Sequence, residues 1–433
     1  MLEKIIEENP LLVGFQIYTG SQNWTKKLID LLKKKKPSIK ILVGGPHISA
    51  LKEAAIKHLG ADFGIVGEGE EAIVDLVDAL LTQEHSLLQN IPGLIYLSEG
   101  KYKTSNINFA RIQDLDDLPL PDYELLNITA YFKHMQGATV PLRGKRPVPI
   151  LTSRGCPFQC TFCSSRLVFL KKIRYRSVEN VVKELEYLKQ NYDIDEFFVT
   201  DDNLTLDMNR AENLFDILIE KDLNLHWRAP NGLRADRLNE DLVKKMKESG
   251  CYFVGIGVET GSTKIMSCIK KSLDLKQVSK IVPILKRNNV LVSGFFMVGL
   301  PYETEGDIKK TIEFIKHSRF DRIQVSIYTP YPGSEDFDNL FDINDPEKYP
   351  ENIRNYLYNG HIPKINKEIT YKQIHRYQKK MLRSFYFRPS IALNIISRLK
   401  FSQVKAILNH PFIRRWFDRD HASYLMDVGG KDE

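Results

Sequence analysis

The chain has 433 residues, of which 42% are hydrophobic and 27% are charged, and its formal net charge is +7 at pH 7. This length supports two or three domains, and the mildly basic charge does not by itself indicate a class of partner. No apolar run approaches the roughly 20 residues that span a bilayer, and the N-terminal residues lack the pattern of a signal peptide. The composition argues against a membrane-spanning or secreted protein, and we expect a cytoplasmic location.

Residues 1–105 alternate apolar runs with amphipathic segments, which predicts a parallel, doubly wound α/β sheet. The candidate strands are 11–18, 39–45 and 62–67, and the candidate helices start near 23 and cover 49–59 and 69–81. Residues 92–104 look like a hairpin, which we expect at the edge of that sheet. Residues 106–145 carry prolines and acids without strong periodicity, so they are predicted to connect this domain to the next.

Residues 146–340 contain six strand-like runs separated by helical patterns, an order that predicts an incomplete relative of the (β/α)8 barrel. The runs are 149–153, 195–200, 225–230, 252–258, 290–299 and 322–328. Helix starts are predicted at Ser177 and Asp207, and Thr304 with Asp307 looks like a capping box. In such barrels the chemistry lies at the carboxyl ends of the strands, so residues that follow each run are candidate site residues.

Residues 341–433 are predicted to form a helical, basic C-terminal region. Within it, residues 364–416 hold thirteen Lys or Arg and one acid, Glu368, interleaved with aromatic residues. A solvated helical face with a few core aromatic side chains explains this pattern. The functional alternative is a surface for an anionic or amphipathic substrate, in peripheral contact with a membrane. Nucleic acid is not expected, because no recognition motif accompanies the charge.

Three of the five cysteines, Cys156, Cys160 and Cys163, lie in one segment, TSRGCPFQCTFCSSR. An odd cysteine count without a secretory signal points to metal or redox chemistry. Three thiolates spaced C-x3-C-x2-C after the first barrel strand can ligate three irons of one 4Fe–4S cluster, which leaves the fourth iron open. The simpler interpretations are a zinc site completed by a distant ligand and buried unpaired thiols. The unequal spacing and the lack of a second C-x2-C pair count against zinc.

This motif, with an aromatic residue (Phe162) before the last cysteine, resembles the signature of the radical S-adenosylmethionine superfamily. The resemblance implies a partial (β/α)6 barrel, in which the open iron binds S-adenosylmethionine and Phe162 belongs to the cofactor site. It also implies reductive cleavage to a 5′-deoxyadenosyl radical, with electrons from a reductant such as flavodoxin or ferredoxin.

Four polar residues match the S-adenosylmethionine site of this family by position. The TDDN segment stands where members hold the methionine amino group, which implicates Asp201 and Asp202, although most members show Gly-Gly-Glu there. Glu259, in GIGVETGS, is implied to bind the ribose hydroxyls. Arg234, in NGLRAD, is a candidate for the cofactor carboxylate. The structural alternatives are helix N-capping by Asp202 or Asn203, and surface ion pairs for Glu259 and Arg234.

The segment SGFFMVGLPYET resembles the G-x-I-x-G-x-x-E region that packs on the adenine, which implicates Gly294 and Gly299. Gly299 is equally explained as a turn glycine. The segment TPYPGSE (329–335) resembles the barrel-closing loop of the cobalamin-associated branch of the superfamily.

The N-terminal region resembles the cobalamin-binding domain of that branch. The match lies in VGGPHISA and IVGEGEEA, and it implies that four glycines let the backbone approach the nucleotide tail of a corrinoid. These glycines are Gly44, Gly45, Gly67 and Gly69. The D-x-H-x-x-G loop with which members usually begin this domain is missing, so we expect an incomplete, N-terminally truncated domain. His47 is not assigned as a cobalt ligand, and cobalamin binding stays open.

The sequence as a whole predicts an α/β protein: a partial (β/α)6 TIM-like barrel, preceded by an incomplete Rossmann-like cobalamin-binding-type domain and followed by a helical region. We expect a radical enzyme that methylates, oxidises or cyclises a small-molecule or lipid-like substrate. The alternative is a degenerate, non-catalytic iron–sulfur protein that has lost cobalamin and substrate binding. A methylthiolating enzyme with a second cluster is not expected, because no cysteine precedes Cys156.

Overall fold

The computed structural model describes residues 2–135, 142–169, 172–340, 366–389 and 391. Within them, a five-stranded sheet lies toward the N-terminus and a six-stranded sheet follows it, while a two-stranded ribbon flanks the cysteine segment. Most of the predicted basic C-terminal region lies outside the described residues.

The N-terminal domain contains four helices and five strands. In chain order these are α1 (Leu2–Glu8), β1 (Leu12–Gln16), α2 (Gln22–Lys35), β2 (Lys40–Gly44), α3 (Pro46–Leu59), β3 (Phe63–Ile65), α4 (Glu70–Thr82), β4 (Leu94–Ser98) and β5 (Lys101–Thr104). The strands pair in chain order, β1 to β3 in parallel and β4 and β5 antiparallel, so the predicted edge hairpin is confirmed.

Strand β2 shows why this sheet needs helices on both faces. Ile41 and Val43 pack into one core with α2 and α3, whereas Leu42 between them packs into a second core with α4. Successive side chains of a strand point to opposite faces, so an entirely apolar strand must be covered twice. The doubly wound arrangement is confirmed.

The second part of the chain contains all six predicted barrel strands. Its elements are α5 (Ile128–Met135), β6 (Pro147–Ile150), β7 (Ser153–Arg154), α6 (Ser165–Phe169), β8 (Arg174–Tyr175), α7 (Val178–Tyr192), β9 (Glu196–Val199), α8 (Met208–Lys221), β10 (His226–Leu233), α9 (Glu240–Glu248), β11 (Cys251–Glu259), α10 (Thr263–Cys268), α11 (Leu275–Arg287), β12 (Leu291–Val298), α12 (Glu305–His317), β13 (Arg322–Ile327), α13 (Glu335–Leu340) and α14 (Tyr371–Tyr386). The sheet order is β6-β9-β10-β11-β12-β13 with every neighbouring pair parallel, as a partial (β/α)6 barrel requires.

The predicted helix starts are confirmed. Ser177 and Asp207 each accept a hydrogen bond from a backbone N–H three residues further on, and Thr304 forms a reciprocal capping box with Asp307. Helix α5, in contrast, was not predicted, and it lies in the segment 106–145 that was expected to connect the two domains. Its Ile128 is buried in the barrel core, so tertiary packing rather than local pattern specifies this helix.

Helix α14 covers the outer edge of the barrel sheet, where no strand of the described residues follows β13. The Tyr386 hydroxyl accepts from the Ile323 N–H (3.2 Å) and donates to the Ile323 carbonyl (2.9 Å). The Gln378 amide donates to the Val325 carbonyl at 2.8 Å. These side chains satisfy edge groups that another strand would otherwise bond.

The amino-terminal end of the barrel is filled by a buried polar network around Glu196. The Glu196 carboxylate accepts from the Tyr252 hydroxyl (2.7 Å) and from the N–H groups of Arg143 (2.9 Å) and Gly144 (2.8 Å). It also pairs with Arg228 at 3.2 Å. The opposite end of the barrel, where the strands finish, carries the cysteine segment.

Candidate active site

The cysteine loop (155–173) leaves the sheet after β6 and β7 and returns through β8. Gly155, which starts it, has φ +101°, and a Cβ there would come within 2.9 Å of the Lys172 carbonyl oxygen, so glycine is required. The Cys163 N–H donates to the Cys160 carbonyl at 3.1 Å. This turn keeps the three half-buried thiols on one short loop at the carboxyl ends of the strands.

The described side chains around the thiols do not form a site for a single metal ion such as zinc. Throughout the described ranges, no three His, Cys, Asp or Glu side chains gather closely enough to hold one metal ion. Thiolates bound to separate irons of a cluster lie farther apart than ligands of a single ion. Burial raises the pKa of Cys163 to about 11. Burial also raises the pKa of Cys160, although the nearby positive charges of Lys271 and Arg234 act in the opposite direction. Metal binding deprotonates such thiols.

Glu259 ends β11 beside the cysteine loop. Its carboxylate forms an ion pair with the Lys271 ammonium, and both side chains are about nine-tenths buried. The Lys271 nitrogen lies 5.8 Å from the centre of the Phe162 ring, which packs against the small apolar cluster that contains Leu300 and Tyr328. The predicted residues Glu259 and Phe162 are therefore brought together, and the pair is not a surface ion pair.

Arg234 follows β10 and also reaches the cysteine loop. Its guanidinium carbon lies 3.7 Å from the centre of the Phe158 ring, between the first two cysteines. It forms two hydrogen bonds of 3.0 Å with Asp236 and donates to the Ser272 carbonyl. Because the chain itself uses these donors, contact with the carboxylate of S-adenosylmethionine stays a prediction.

The two aspartates after β9 have different surroundings. Asp201 is buried and accepts from the Thr152 N–H and hydroxyl (both 2.6 Å) and from the Ser153 hydroxyl (2.5 Å). It therefore ties β9 to the start of the cysteine loop. Asp202 is exposed and accepts from the Ser165 hydroxyl at 2.5 Å, just after the last cysteine. Both lie at the loop, and only Asp202 presents oxygen atoms to solvent.

Gly294 of β12 and Gly299, which follows this strand, are explained by packing within the chain. A Cβ at Gly294 would come within 2.7 Å of the Phe320 ring, which belongs to the buried core and precedes β13. A Cβ at Gly299 would come within 2.9 Å of Ile374 of α14. The Gly299 N–H donates to the Glu303 carboxylate at 2.7 Å, which forms a turn. Contact of either glycine with adenine stays a prediction.

Sequence reasoning missed polar atoms that only the folded chain reveals. The amide of Asn203 and the hydroxyl of Thr205, after β9, are buried without a hydrogen-bond partner among the described residues. One oxygen of the buried Glu303 is in the same situation, and burial raises the pKa of Glu303 to about 7. Buried unpaired polar atoms are rare, so these are candidates to contact a bound ligand.

The alternative role of Asp202 or Asn203 as a helix N-cap is wrong, because Asp207 caps α8.

The four glycines of the N-terminal domain divide into two pairs. Nothing lies within 4 Å of a Cβ built at Gly44 or Gly69, so their backbone is accessible to a ligand. At Gly45 a Cβ would meet the Gln16 side chain at 3.0 Å, and at Gly67 it would meet the Ala110 carbonyl at 2.4 Å. The chain itself occupies the space beside the second pair.

His47 is buried inside the N-terminal domain. Its Nδ1 lies 3.1 Å from the Thr19 hydroxyl, and burial, with a smaller contribution from His58, lowers its pKa to about 3. A side chain held in this way supports leaving His47 unassigned as a cobalt ligand.

Two family models match the sequence: the radical SAM superfamily over residues 150–315, and the B12 binding domain over residues 1–77. An uncharacterized methyltransferase of Pyrococcus horikoshii is 32% identical over 397 residues, which cover 91% of this chain and 83% of that protein. The chain belongs to the radical S-adenosylmethionine superfamily. Its matches place it in the branch that carries a cobalamin-binding domain, as the sequence predicted.

Other members of the superfamily resemble this one over most of its length. Cytidylyl-2-hydroxyethylphosphonate methyltransferase of Streptomyces wedmorensis is 28% identical, over 77% of this chain and 67% of that protein. Anaerobic magnesium-protoporphyrin IX monomethyl ester cyclase of Rubrivivax gelatinosus is 26% identical, over 80% and 62%. The structure of TsrM from Kitasatospora setae, with cobalamin and a [4Fe-4S] cluster, aligns with a TM-score of 0.64, 17% identity and coverage of 77% and 67%. The last likeness confirms the fold.

Membership defines the cofactors of this radical SAM enzyme in general terms. The radical SAM domain implies a 4Fe–4S cluster and S-adenosylmethionine, and the B12 binding domain supports cobalamin. In general, radical SAM enzymes act on small-molecule substrates and need a reductant. In the portion of the chain that is described, no helix has the length and apolar character needed to cross a membrane.

Proposed function

We propose that this radical SAM enzyme transfers a methyl group from S-adenosylmethionine to an unreactive carbon or phosphorus atom of a small-molecule or lipid-like substrate. The observation that carries this proposal is the direct contact between the cysteine loop region and the B12-binding domain. Arg154, two residues before Cys156, pairs with Glu68 of the N-terminal domain at 2.8 Å. The contact would keep the cysteines, which would hold a cluster able to supply an electron to S-adenosylmethionine, next to the domain that would hold a corrinoid able to carry a methyl group.

We assign residues of the barrel mouth to the cluster and to S-adenosylmethionine, and glycines of the N-terminal domain to a corrinoid. We assign Cys156, Cys160 and Cys163 to the cluster. We assign Glu259 to the ribose, because its carboxylate ends a barrel strand beside Phe162, and Asp202 to the methionine amino group, because its carboxylate stays exposed at the loop. We assign Gly44 and Gly69 to a corrinoid, because of the four glycines these two have open space beside the backbone. Gly45 and Gly67 pack closely against other parts of the chain, so we assign them a structural role.

The barrel interior supports a partly apolar substrate. Phe198 and Phe295 are half-buried, and Phe295 fills the space beside Gly255. On β13 the side chains of Gln324 and Ser326 are exposed. Aromatic walls with a few polar groups are typical of small-molecule sites.

The remaining assignments concern the setting of the enzyme. We propose the domain boundaries 1–105, 106–145, 146–340 and 341–433, a cytoplasmic location, and flavodoxin or ferredoxin as the reductant. The basic C-terminal region, mostly outside the described residues, remains our candidate surface for an amphipathic substrate or peripheral membrane contact.

The test is anaerobic reconstitution of the full chain with iron and sulfide, followed by reduction with S-adenosylmethionine and hydroxocobalamin. We expect both 5′-deoxyadenosine and S-adenosylhomocysteine, the latter from methyl transfer to reduced cobalamin. If cluster-loaded protein formed neither of these products, the enzyme assignment would be contradicted. Formation of 5′-deoxyadenosine without S-adenosylhomocysteine would instead favour ring-forming oxidation, the second candidate, which the similarity to the cyclase supports.

A further inference from the structure

Two acids, Glu68 in the loop between β3 and α4 and Glu70 at the start of α4, are left without a role by the resemblance to a cobalamin-binding domain. Glu68 has only 2% of its side chain exposed, although it belongs to the loop that carries the open glycine Gly69. A buried carboxylate is costly unless it is paired and hydrogen-bonded, so its partners are informative.

The partners of Glu68 are two arginines of the barrel. Arg174 binds it through both terminal nitrogens, at 2.7 and 2.9 Å, and Arg154 binds it at 2.8 Å. The Ile112 N–H adds a bond of 2.8 Å, and the second terminal nitrogen of Arg154 donates to Glu70 at 2.7 Å. Burial alone would raise the pKa of Glu68, but these hydrogen bonds hold it below its usual value.

Both arginines belong to the ribbon that brackets the cysteine loop. Arg154 of β7 and Arg174 of β8 are direct cross-strand partners. Two positive charges that face each other across a ribbon repel. The Glu68 carboxylate lies between the two guanidinium groups and forms charged hydrogen bonds with both, which offsets this repulsion. On the barrel side, Asp201 holds the same ribbon through Ser153. The loop that carries the cysteines is therefore held at its base by one carboxylate from each domain.

We propose that Glu68 is a positioning residue for the cluster site: through Arg154 and Arg174 it fixes the base of the cysteine loop and holds it against the glycine loop of the N-terminal domain. The inference rests on the proposed role of the cysteines in binding the cluster. It gives Glu68 of the G-E-G-E segment a function distinct from contact with a corrinoid.

The test compares Glu68→Gln, which keeps the shape and removes the charge, with Glu70→Gln, which removes a carboxylate that also bonds Arg154 but is 40% exposed. Each reconstituted full-length variant is examined by amide hydrogen exchange, by the rate of cluster loss to an iron chelator, and by the electron paramagnetic resonance signal of the reduced cluster before and after S-adenosylmethionine. For Glu68→Gln we expect faster exchange confined to 63–70 and 150–176, and roughly tenfold faster cluster loss, because a charged hydrogen-bond network is broken. The spectral response to S-adenosylmethionine should weaken as well.

Glu70→Gln should change the rate of cluster loss by less than about twofold, as expected for an exposed pair. Equal behaviour of the two variants would overturn the proposal. So would exchange that rises equally across the far side of the barrel (275–298), which indicates a general loss of stability. If Glu68→Gln fails to fold, the same measurements on Arg154→Lys test the positioning role. This variant keeps the positive charge but loses the forked geometry of the guanidinium group.

Failure of the positioning role and failure of the proposed function give different results. Unchanged exchange and cluster retention in Glu68→Gln contradict only the positioning role. Absence of 5′-deoxyadenosine from cluster-loaded wild-type protein contradicts only the enzyme assignment, because exchange and chelation do not depend on turnover.

Discussion

The barrel mouth and the glycine-rich edge of the N-terminal sheet relate differently to their sequence motifs. At the mouth, segments after three neighbouring strands reach the cysteine loop: Asp202 contacts Ser165, Arg234 stacks on Phe158, and Lys271 faces Phe162. At the N-terminal edge, only two of the four predicted glycines have open space beside them. Charged and aromatic motif residues need partners, and the folded chain identifies those partners. Glycine motifs report backbone geometry, which packing within the chain uses as readily as a ligand does.

The largest effect is expected from the cysteine loop itself. Cys160→Ala removes one thiolate, and we expect loss of the cluster and a fall in 5′-deoxyadenosine formation of roughly a thousandfold or more, because the cofactor supplies the electron. Iron and sulfide content and product chromatography check this. Cys268→Ala, at an exposed cysteine elsewhere, is the matched control. If Cys160→Ala retained a full cluster, the assignment of this thiol would be wrong.

The second prediction concerns the ion pair at the mouth. Lys271→Met leaves the Glu259 carboxylate buried without its partner, and we expect the free energy of unfolding to fall by about 3 kcal/mol. Lys26→Met, in the exposed pair with Asp30, should cost less than about 0.5 kcal/mol. Urea denaturation measures both. Equal costs would mean that the pair at the mouth is solvated.

The third prediction separates the two kinds of N-terminal glycine. Gly67 has φ +96°, and a Cβ there would collide with the Ala110 carbonyl, so Gly67→Ala should cost about 2 kcal/mol or more of stability. Gly69→Ala should change stability by less than about 0.5 kcal/mol. It should nonetheless weaken the binding of hydroxocobalamin, which an absorbance titration measures. Normal cobalamin affinity in Gly69→Ala would remove this glycine from the corrinoid site.

The last prediction is a pH dependence just after the end of β12. Burial raises the pKa of Glu303 from its ordinary 4.5 to about 7. Between these values the folded state binds more protons than the unfolded state, so stability falls as pH rises through this window, by at most about 1.4 kcal/mol per pH unit. Glu303→Gln should flatten this slope in urea unfolding measured from about pH 5 to pH 8, whereas Glu305→Gln, at an exposed position, should not.

The sequence was sufficient for the elements whose local pattern and tertiary environment agree. All barrel strands were predicted because apolar runs alternate with capped amphipathic helices, and Ser177 and Asp207 cap the helices as expected. Helix α5 was missed because its stability comes from burial of Ile128 in a distant core, which no local pattern reveals. The orientation of β12 was not predictable either. Its residues are apolar on both faces, so nothing local shows that Gly294 faces Phe320.

The same limit applies to the site. Phe162, Asp202 and Glu259 could be placed near the cysteine loop because each lies in a motif with a fixed place in the barrel, and their contacts with the cofactor stay predictions. Lys271 was missed because it meets Glu259 only after helix α10 returns the chain to the mouth. Glu68 was read as part of a glycine motif, because its arginine partners lie more than eighty residues away in sequence.

Helix α14 has a consequence for how shortened forms of this chain behave in solution. Tyr386 and Gln378 occupy the hydrogen-bonding groups of β13 that would otherwise face outward. A chain that ended before Tyr371 would uncover a parallel edge strand together with the apolar surface that Met381 and Phe385 now bury. Exposed edges of this kind recruit further strands, so we expect such a chain to polymerise rather than remain monomeric.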